Sequence, residues 1–423
     1  MKILHISYRL NEQSAAYRLA EEQAKNQGNQ IYFLLARKST SSFVKSRRAF
    51  PFLTSFIGFT AHVFDYILKK CFVRGDDVFS MGIPSVFKDW IFEKLINKVN
   101  PDVIHIHWGG YSFAPLSGLG KLSRNIKSRF IITIHDYYYF TGGCHIPLAC
   151  TEHSNDCKNC PKAKNILAKN WIKLNRVHIN NLLSNTKISF VAPSFYTSNY
   201  LNSIFMKFDC RVIPNTVGNS YLLNKMELDK IFSAYKEYRF SNKNIPTILI
   251  VGIKNSSDQN KGSDILFELI NIMHNVGVVF NLITIGEYLN LEISGTHLHF
   301  KNKNIEELKQ LYAIADLCIV PSRFETFSQV TLESIQLTTP VVAFDLTGPK
   351  DIINNGITGF LIPPFDVDKF SNTIIENLDY KITNEEKMIE YALITSSQFS
   401  PLKVALMYQN LYEERNVDIF TND

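Results

Sequence analysis

The sequence predicts an α/β protein built of two doubly wound, mostly parallel domains facing a cleft, and three observations predict it. Short apolar runs alternate with helical patterns over the first half, the alternation stops across residues 219–244, and it restarts at Thr247-Ile-Leu-Ile-Val-Gly252. Alternating strand and helix builds a parallel sheet covered by helices on both faces. A length of 423 residues is too great for one small core and fits two domains of ordinary size. Hydrophobic content of 45% with 20% charged residues describes a folded soluble chain. No uninterrupted apolar run nears the roughly 18 residues of a membrane span, so none is expected.

In the first domain the strand pattern falls on residues 2–7, 30–36, 102–108, 129–136, 188–194 and 209–215, with helices over 15–26 and 85–99. Ser14 is placed to cap the first of these helices. The polar stretch 219–244, closed by Pro246, has no strand pattern and sets a boundary near 217–221, giving domains 1–218 and 219–398. The second domain reads as strands over 247–253, 278–285, 297–301, 317–321 and 341–344, with a helix from Ser328 to near Pro340. Residues 400–416 form an amphipathic pattern through Val404, Leu406, Met407, Leu411 and Tyr412, within a terminal segment 399–423. The opening Met1-Lys-Ile-Leu-His-Ile-Ser is too short an apolar run for a signal-peptide core, so a cytoplasmic location is expected.

A net charge of +6 is too weak on this length to argue for nucleic acid. Its distribution is more telling. From Arg37 to Arg74 the chain carries Lys38, Lys45, Arg47, Arg48, Lys69 and Lys70 among Phe50, Phe52, Phe56, Phe59, Phe64 and Tyr66, with one acid, Asp65. Such a segment suits an anionic membrane surface. The alternative is a helix that packs Phe56, Phe59, Val63 and Tyr66 onto the first domain.

Four of seven cysteines fall in Cys144-His-Ile-Pro-Leu-Ala-Cys150-Thr-Glu-His-Ser-Asn-Asp-Cys157-Lys-Asn-Cys160. In a cytoplasmic chain this spacing suits a structural tetrahedral zinc better than disulfides, with His145 and His153 as substitute ligands. The one Asp-x-Asp, Asp366-Val-Asp368, follows Pro363-Pro364, where it caps a helix rather than holding a catalytic metal.

Ligands of doubly wound sheets bind beyond the carboxyl ends of the strands. Three loops occupy such ends: Gly252-Ile-Lys254-Asn-Ser-Ser-Asp-Gln-Asn-Lys261-Gly262, Ser322-Arg-Phe-Glu325-Thr-Phe-Ser-Gln-Val-Thr-Leu-Glu333-Ser, and His135-Asp136 with the tyrosines that follow. The second places Glu325 on a loop and Glu333 in a helix, with the N–H groups near Phe327 and Ser328 at the helix start, where a phosphate is favoured.

Together with Pro340-Val-Val-Ala-Phe-Asp345-Leu-Thr-Gly348-Pro-Lys-Asp351-Ile-Ile-Asn-Asn-Gly356-Ile-Thr-Gly359-Phe-Leu-Ile-Pro363, these segments resemble the retaining glycosyltransferases of family 4, whose fold is GT-B. The likeness spans nearly the whole chain and is strongest from Thr247 to Pro364. It implies a UDP- or GDP-sugar donor held by Gly252, Lys254, Lys261, Glu325, Thr326, Phe327, Ser328 and Glu333, one carboxylate on sugar hydroxyls and the other on the ribose. It makes His135 a sugar contact or transition-state stabiliser and Asp136 an acceptor-side or orienting group, with Lys261 and Glu325 completing the catalytic set. It also implies front-face attack without a catalytic metal, and a last helix that returns to the first domain. A similar cysteine cluster follows His-Asp in members resembling those of capsule, slime and O-antigen synthesis.

Departures from the family are Ser256 in place of an arginine, Thr347 in place of a glycine, and Tyr8-Arg-Leu-Asn11-Glu-Gln-Ser14 in place of a glycine-rich first loop. The resulting expectation is a transferase moving a hexose-type sugar from a nucleoside diphosphate to a polyprenyl-linked surface glycan on the inner face of the plasma membrane. Its rivals are a soluble transferase, a nucleotide-sugar hydrolase or epimerase, and an inactive scaffold of the same fold. A nucleic-acid binder is disfavoured, because the cysteine region is not basic and the clamp would put two acids in the cleft.

Overall fold

The computed structural model describes residues 1–414 apart from 76–78, 83–85, 111–112, 115, 149, 185–186, 206–209 and 255–258. The first domain holds β1 (Lys2–Ser7), β2 (Gln30–Leu35), β3 (Val103–Trp108), β4 (Arg129–Thr133), β5 (Ile188–Ala192) and β6 (Cys210–Val212) in the order β2-β1-β3-β4-β5-β6. The second holds β7 (Thr247–Ile253), β8 (Asn281–Gly286), β9 (His297–Phe300), β10 (Leu317–Val320), β11 (Val341–Phe344) and β12 (Gly359–Ile362) in the order β12-β11-β10-β7-β8-β9. Both sheets are parallel throughout, as in β1 on β3 and β7 on β10. Strand order reverses between β1 and β3 and between β7 and β10. Loops leaving those pairs splay to opposite faces and open a crevice. The loops after β7 and β10 are the two that carry Lys261 and Glu325.

The strands form because their apolar runs are buried on both faces: Leu4, Ile6, Ile104, Ile106, Phe130 and Ile132 on one side, Ile3, Val103, Ile131 and Val191 on the other. β12 was not among the expected strands. Its four residues sit between a turn at Gly356 and Pro363, too short to show a period. β8 starts at Asn281 rather than 278, because the Val278 N–H closes the preceding helix onto Met273 O. Ser14 does stand before the Ala15–Gln23 helix but makes no side-chain cap; its hydroxyl donates to Asn11 O at 2.7 Å. Asp366 caps as expected, accepting the Lys369 N–H at 2.9 Å. The expected bounds at 85 and 209 lie outside the described residues.

The Pro51–Phe72 helix overturns one expectation. Phe56, Phe59, Val63 and Tyr66 do not pack inward; they are exposed, with Phe52, Phe64 and Ile67 beside them. The buried face is Thr54, Ile57, Gly58, Ala61 and Asp65. A Cβ on Gly58 would lie 2.4 Å from Ala36 Cβ, so glycine is what lets the helix lie against the end of β2. Because the exposed face is apolar as well, this is the one helix among the described residues long and apolar enough to cross a membrane. No uninterrupted apolar run announces it, since Thr54, Ser55, Thr60, His62 and Asp65 interrupt the pattern.

The Pro401–Glu413 helix lies against the first domain. Val404, Ala405, Tyr408, Leu411 and Tyr412 enter the same core as Ile3, Leu19, Phe33 and Val103. Pro401 occupies its first turn and Ser400 caps it through the Lys403 N–H. Each large apolar side chain buried here contributes roughly 1.5–3 kcal/mol.

Candidate active site

Lys261 and Glu325 meet at the strand-order reversal of the second sheet. Lys261 Nζ donates to Glu325 Oε1 at 2.6 Å, and both line a pocket with Gly252, Ser263, Pro321 and Ser322. Local geometry forces this meeting. Gly262 adopts φ +67°, and a Cβ there would sit 2.1 Å from Pro321 O, so only glycine allows the β7 loop to approach β10 so closely. Arg323 ties the same two loops together, donating to both oxygens of Asp264 at 2.7 and 2.6 Å and to Gln259 O at 2.6 Å. Gly252, at φ +84°, has open space where a side chain would stand. Lys254 is exposed at the edge of this loop, and the departure at Ser256 lies outside the described residues.

The Glu325 loop also reaches the first domain. Thr326 Oγ1 donates to His135 O at 3.1 Å, Thr197 Oγ1 donates to Thr326 O at 3.2 Å, and the Phe324 ring packs on Tyr137 at 4.8 Å. Beside this bridge a cavity of about 580 Å³ opens between the domains, lined by Tyr196 and Tyr200 on one side and Arg323, Phe324 and Thr347 on the other. Thr347 has φ +60°, a left-handed backbone that glycine adopts freely. Its hydroxyl accepts the Glu325 N–H at 3.2 Å, which offsets the strain and braces the carboxylate's backbone.

Other predicted residues are placed differently. Thr326 serves the domain bridge, and Phe327 is buried against Phe399 with ring centroids 5.7 Å apart. Ser328, at φ +82°, caps the Gln329–Gln336 helix through the Thr331 N–H. Glu333 is buried in that helix and accepts from Arg18 Nη2 at 2.7 Å, while Arg18 Nη1 donates to Gln329 Oε1 at 2.9 Å. Burial pushes the Glu333 carboxyl up against the opposing pull of Arg18. The two expected clamp acids are thus unlike: Glu325 faces the crevice, and Glu333 joins the domains.

His135 is half-buried, and desolvation of its ring lowers its pKa to about 4 despite the adjacent Asp136, so the ring is neutral at pH 7. Asp136 is the orienting member. Its Oδ2 takes His145 Nδ1 at 2.6 Å and Trp108 Nε1 at 2.6 Å, and its Oδ1 takes the Tyr138 N–H at 2.9 Å. Burial alone would push this carboxyl up; His145 and the hydrogen bonds outweigh it and hold it below the usual carboxylate range.

Of the two substitute zinc ligands, His145 has both ring nitrogens bonded, whereas His153 has only its Nε2 bonded and its Nδ1 makes no hydrogen bond. His145 Nδ1 and Nε2 are taken by Asp136 and Ser80, and His153 Nε2 meets Tyr200 OH at 2.6 Å. Cys144, Cys157 and Cys160 enter one apolar cluster with Phe79, Met81 and Ile172, and Cys150 is half-buried. Burial raises the Cys144 thiol to about 12 and Cys157 to about 11. Four soft thiols in one neighbourhood suit zinc chemically. Among the described residues the one group of three or more metal-ligating side chains whose ligand atoms lie within 4.8 Å of one another is His5, His105 and His107. Those histidines, Arg18 and Arg323 were not foreseen, since each is brought to its partners by contacts distant in sequence.

Comparison with known proteins follows the same division. Residues 236–394 match the family model of glycosyl transferases group 1. Across the whole chain the structure resembles sucrose-phosphate synthase from Thermosynechococcus elongatus, at TM-score 0.63, 16% identity and coverage of 97% of this chain and 98% of that one. It resembles Anabaena HepE in complex with UDP at TM-score 0.61, 16% identity and coverage of 97% and 99%. The fold is therefore GT-B, and the match to the group 1 glycosyltransferase model falls within its second domain. Among curated relatives, an uncharacterized glycosyltransferase of Methanocaldococcus jannaschii is 25% identical over 70% of this chain and 79% of its own. Alpha-D-kanosaminyltransferase of Streptomyces kanamyceticus is 26% identical over 26% of this chain, and the match spans 28% of that relative's length.

Proposed function

We propose that this protein is a retaining glycosyltransferase that moves a hexose-type sugar from a UDP- or GDP-sugar to a polyprenyl-linked surface glycan, as family 4 enzymes of capsule or O-antigen synthesis do. The observation that carries the reading is the Lys261–Glu325 pair at the strand-order reversal, joined through Thr326 to the backbone of His135 across the domains. In the donor complex Lys261 exchanges Glu325 for the diphosphate, and Glu325 turns to the sugar hydroxyls. The acceptor oxygen bonds the anomeric carbon on the face from which the diphosphate leaves. The bond to the diphosphate oxygen breaks, and that oxygen takes the acceptor's proton. Lys261 then stabilises the departing charge in a crevice of reduced dielectric, and neutral His135 holds the sugar. This chemistry calls for no catalytic metal.

Support for a lipid-borne, anionic acceptor comes from a cavity of about 660 Å³ lined by Tyr8, Arg9, Arg37, Lys38, Phe59 and His62. It lies against the exposed aromatic face of the Pro51–Phe72 helix. Tyr8 packs edge-on against Trp108 at 5.4 Å, and Trp108 bonds Asp136, so this cavity adjoins the His135 segment. A place on the cytoplasmic membrane face follows. Structural zinc on Cys144, Cys150, Cys157 and Cys160 belongs to the same proposal; metal analysis should find one zinc per chain, lost with Cys157→Ser.

The deciding experiment is a thermal-shift and hydrolysis screen against UDP-, GDP-, ADP- and CMP-sugars, comparing wild type with Glu325→Ala and Lys261→Ala. Stabilisation by one nucleotide family, weakened by both substitutions, is expected. Stabilisation by none of them would leave the inactive scaffold as the better reading.

A further inference from the structure

Inside the first domain, eight polar side chains are strung together through the core. His135 Nε2 meets His107 Nδ1 at 3.3 Å, His107 Nε2 meets His5 Nδ1 at 2.9 Å, and His5 Nε2 meets Gln23 Oε1 at 3.0 Å. Gln23 Nε2 donates to Tyr412 OH at 3.1 Å, and Tyr412 OH meets His105 Nδ1 at 2.6 Å. His105 Nε2 meets Thr133 Oγ1 at 2.7 Å, which meets Tyr408 OH at 2.8 Å. His5, His105, His107, Gln23 and Thr133 are each at most 2% exposed.

Two chemistries suit three clustered histidines: a metal ion, or a directed hydrogen-bond chain. Both ring nitrogens of His5, His105 and His107 already have partners, so a metal would have to break bonds the core has made. The chain has a direction. A neutral imidazole has one donor and one acceptor nitrogen, and an amide oxygen only accepts. Gln23 Oε1 therefore requires the proton of His5 on Nε2, which makes His5 Nδ1 an acceptor and puts the proton of His107 on Nε2. His107 Nδ1 in turn accepts, and the proton of His135 lies on Nε2.

We propose that Gln23 is a positioning residue whose amide oxygen, acting through His5 and His107, fixes His135 as the Nε2–H tautomer, so that Nδ1 is offered as a hydrogen-bond acceptor to a sugar hydroxyl. The use of that acceptor rests on the function proposed above; the tautomer does not. A sugar-contacting imidazole in the wrong tautomer presents a donor where an acceptor is needed. Gln23 lies on the Ala15–Gln23 helix and contacts no part of the crevice lined by Lys261 and Glu325, which is why it acts only through other groups.

The test is two-bond 1H–15N correlation spectroscopy of the full chain labelled with 15N-histidine, the His135 signals being assigned with His135→Gln. Wild type should show His135 with a protonated Nε2 and a bare Nδ1. Gln23→Leu should turn this single form into a mixture, and Gln23→Glu, whose carboxylate also accepts, should restore it. Tyr412→Phe should leave His135 unchanged while altering His105. Transfer by Gln23→Leu should fall about tenfold, the worth of one hydrogen bond between neutral groups, and recover with Gln23→Glu. A wild-type His135 protonated on Nδ1, indifference of its tautomer to Gln23→Leu, or a stoichiometric metal on His5, His105 and His107 would each overturn the proposal. The expected tautomers in a protein that binds no nucleotide sugar would refute the proposed function alone.

Discussion

Arg18 and Glu333 show what a single ionic contact does when it is buried between domains. Arg18→Ala removes the cation and leaves Glu333 buried without its partner; denaturant unfolding should show a loss of about 3–5 kcal/mol. Arg18→Ala combined with Glu333→Leu should recover most of that loss, because no charge is then stranded. Thr347→Gly makes the opposite case: backbone strain is relieved while the bond to the Glu325 N–H disappears, so stability should change by less than about 1 kcal/mol. At this scale the sequence made Lys261, Glu325 and His135 visible, since each sits at the end of a strand in a motif with its own spacing. It hid Arg18 and His5, because Glu333 lies 315 residues from the first and His107 lies 102 from the second. A histidine in an apolar strand carries no mark of what it will face.

Elements were legible where their period was long enough to repeat. The parallel strands and the returning helix stood out in the pattern, whereas four-residue β12 did not. The Pro51–Phe72 helix misled because its aromatic residues are more conspicuous than the small ones that do the packing. Thr54, Ile57, Gly58, Ala61 and Asp65 also recur at helical spacing, and they form the buried face. Gly58→Leu should therefore lift the helix from Ala36 and cost roughly 1–3 kcal/mol by thermal denaturation. Phe52→Ser combined with Phe56→Ser and Phe64→Ser should leave unfolding unchanged, because those rings are exposed, and should abolish flotation on anionic liposomes. Flotation that survives the triple change would remove the membrane from the proposal.

For the whole molecule, the buried rings set the pH dependence. Desolvation lowers His5 and His135 to about 4, and burial holds His105 and His107 well below the ordinary value of 6.5. The unfolded chain therefore takes up protons below about 6.5 that the native chain refuses until about 4. Stability should fall across that window as pH drops, by up to about 1.4 kcal/mol per pH unit for each ring. Asp136, held below the usual carboxylate range, stabilises the fold above that range and loses its contribution at still lower pH. Urea titrations between pH 7 and 4 measure the slope.

The Pro401–Glu413 helix has a consequence in time as well as in space. Its apolar face completes the core around β1 and β2, which leave the ribosome hundreds of residues earlier. The nascent first domain must wait with that face uncovered while the entire second domain is synthesised. A chain halted at residue 399 should be digested by protease within its first 213 residues, and supplying a peptide of residues 400–414 should restore its resistance.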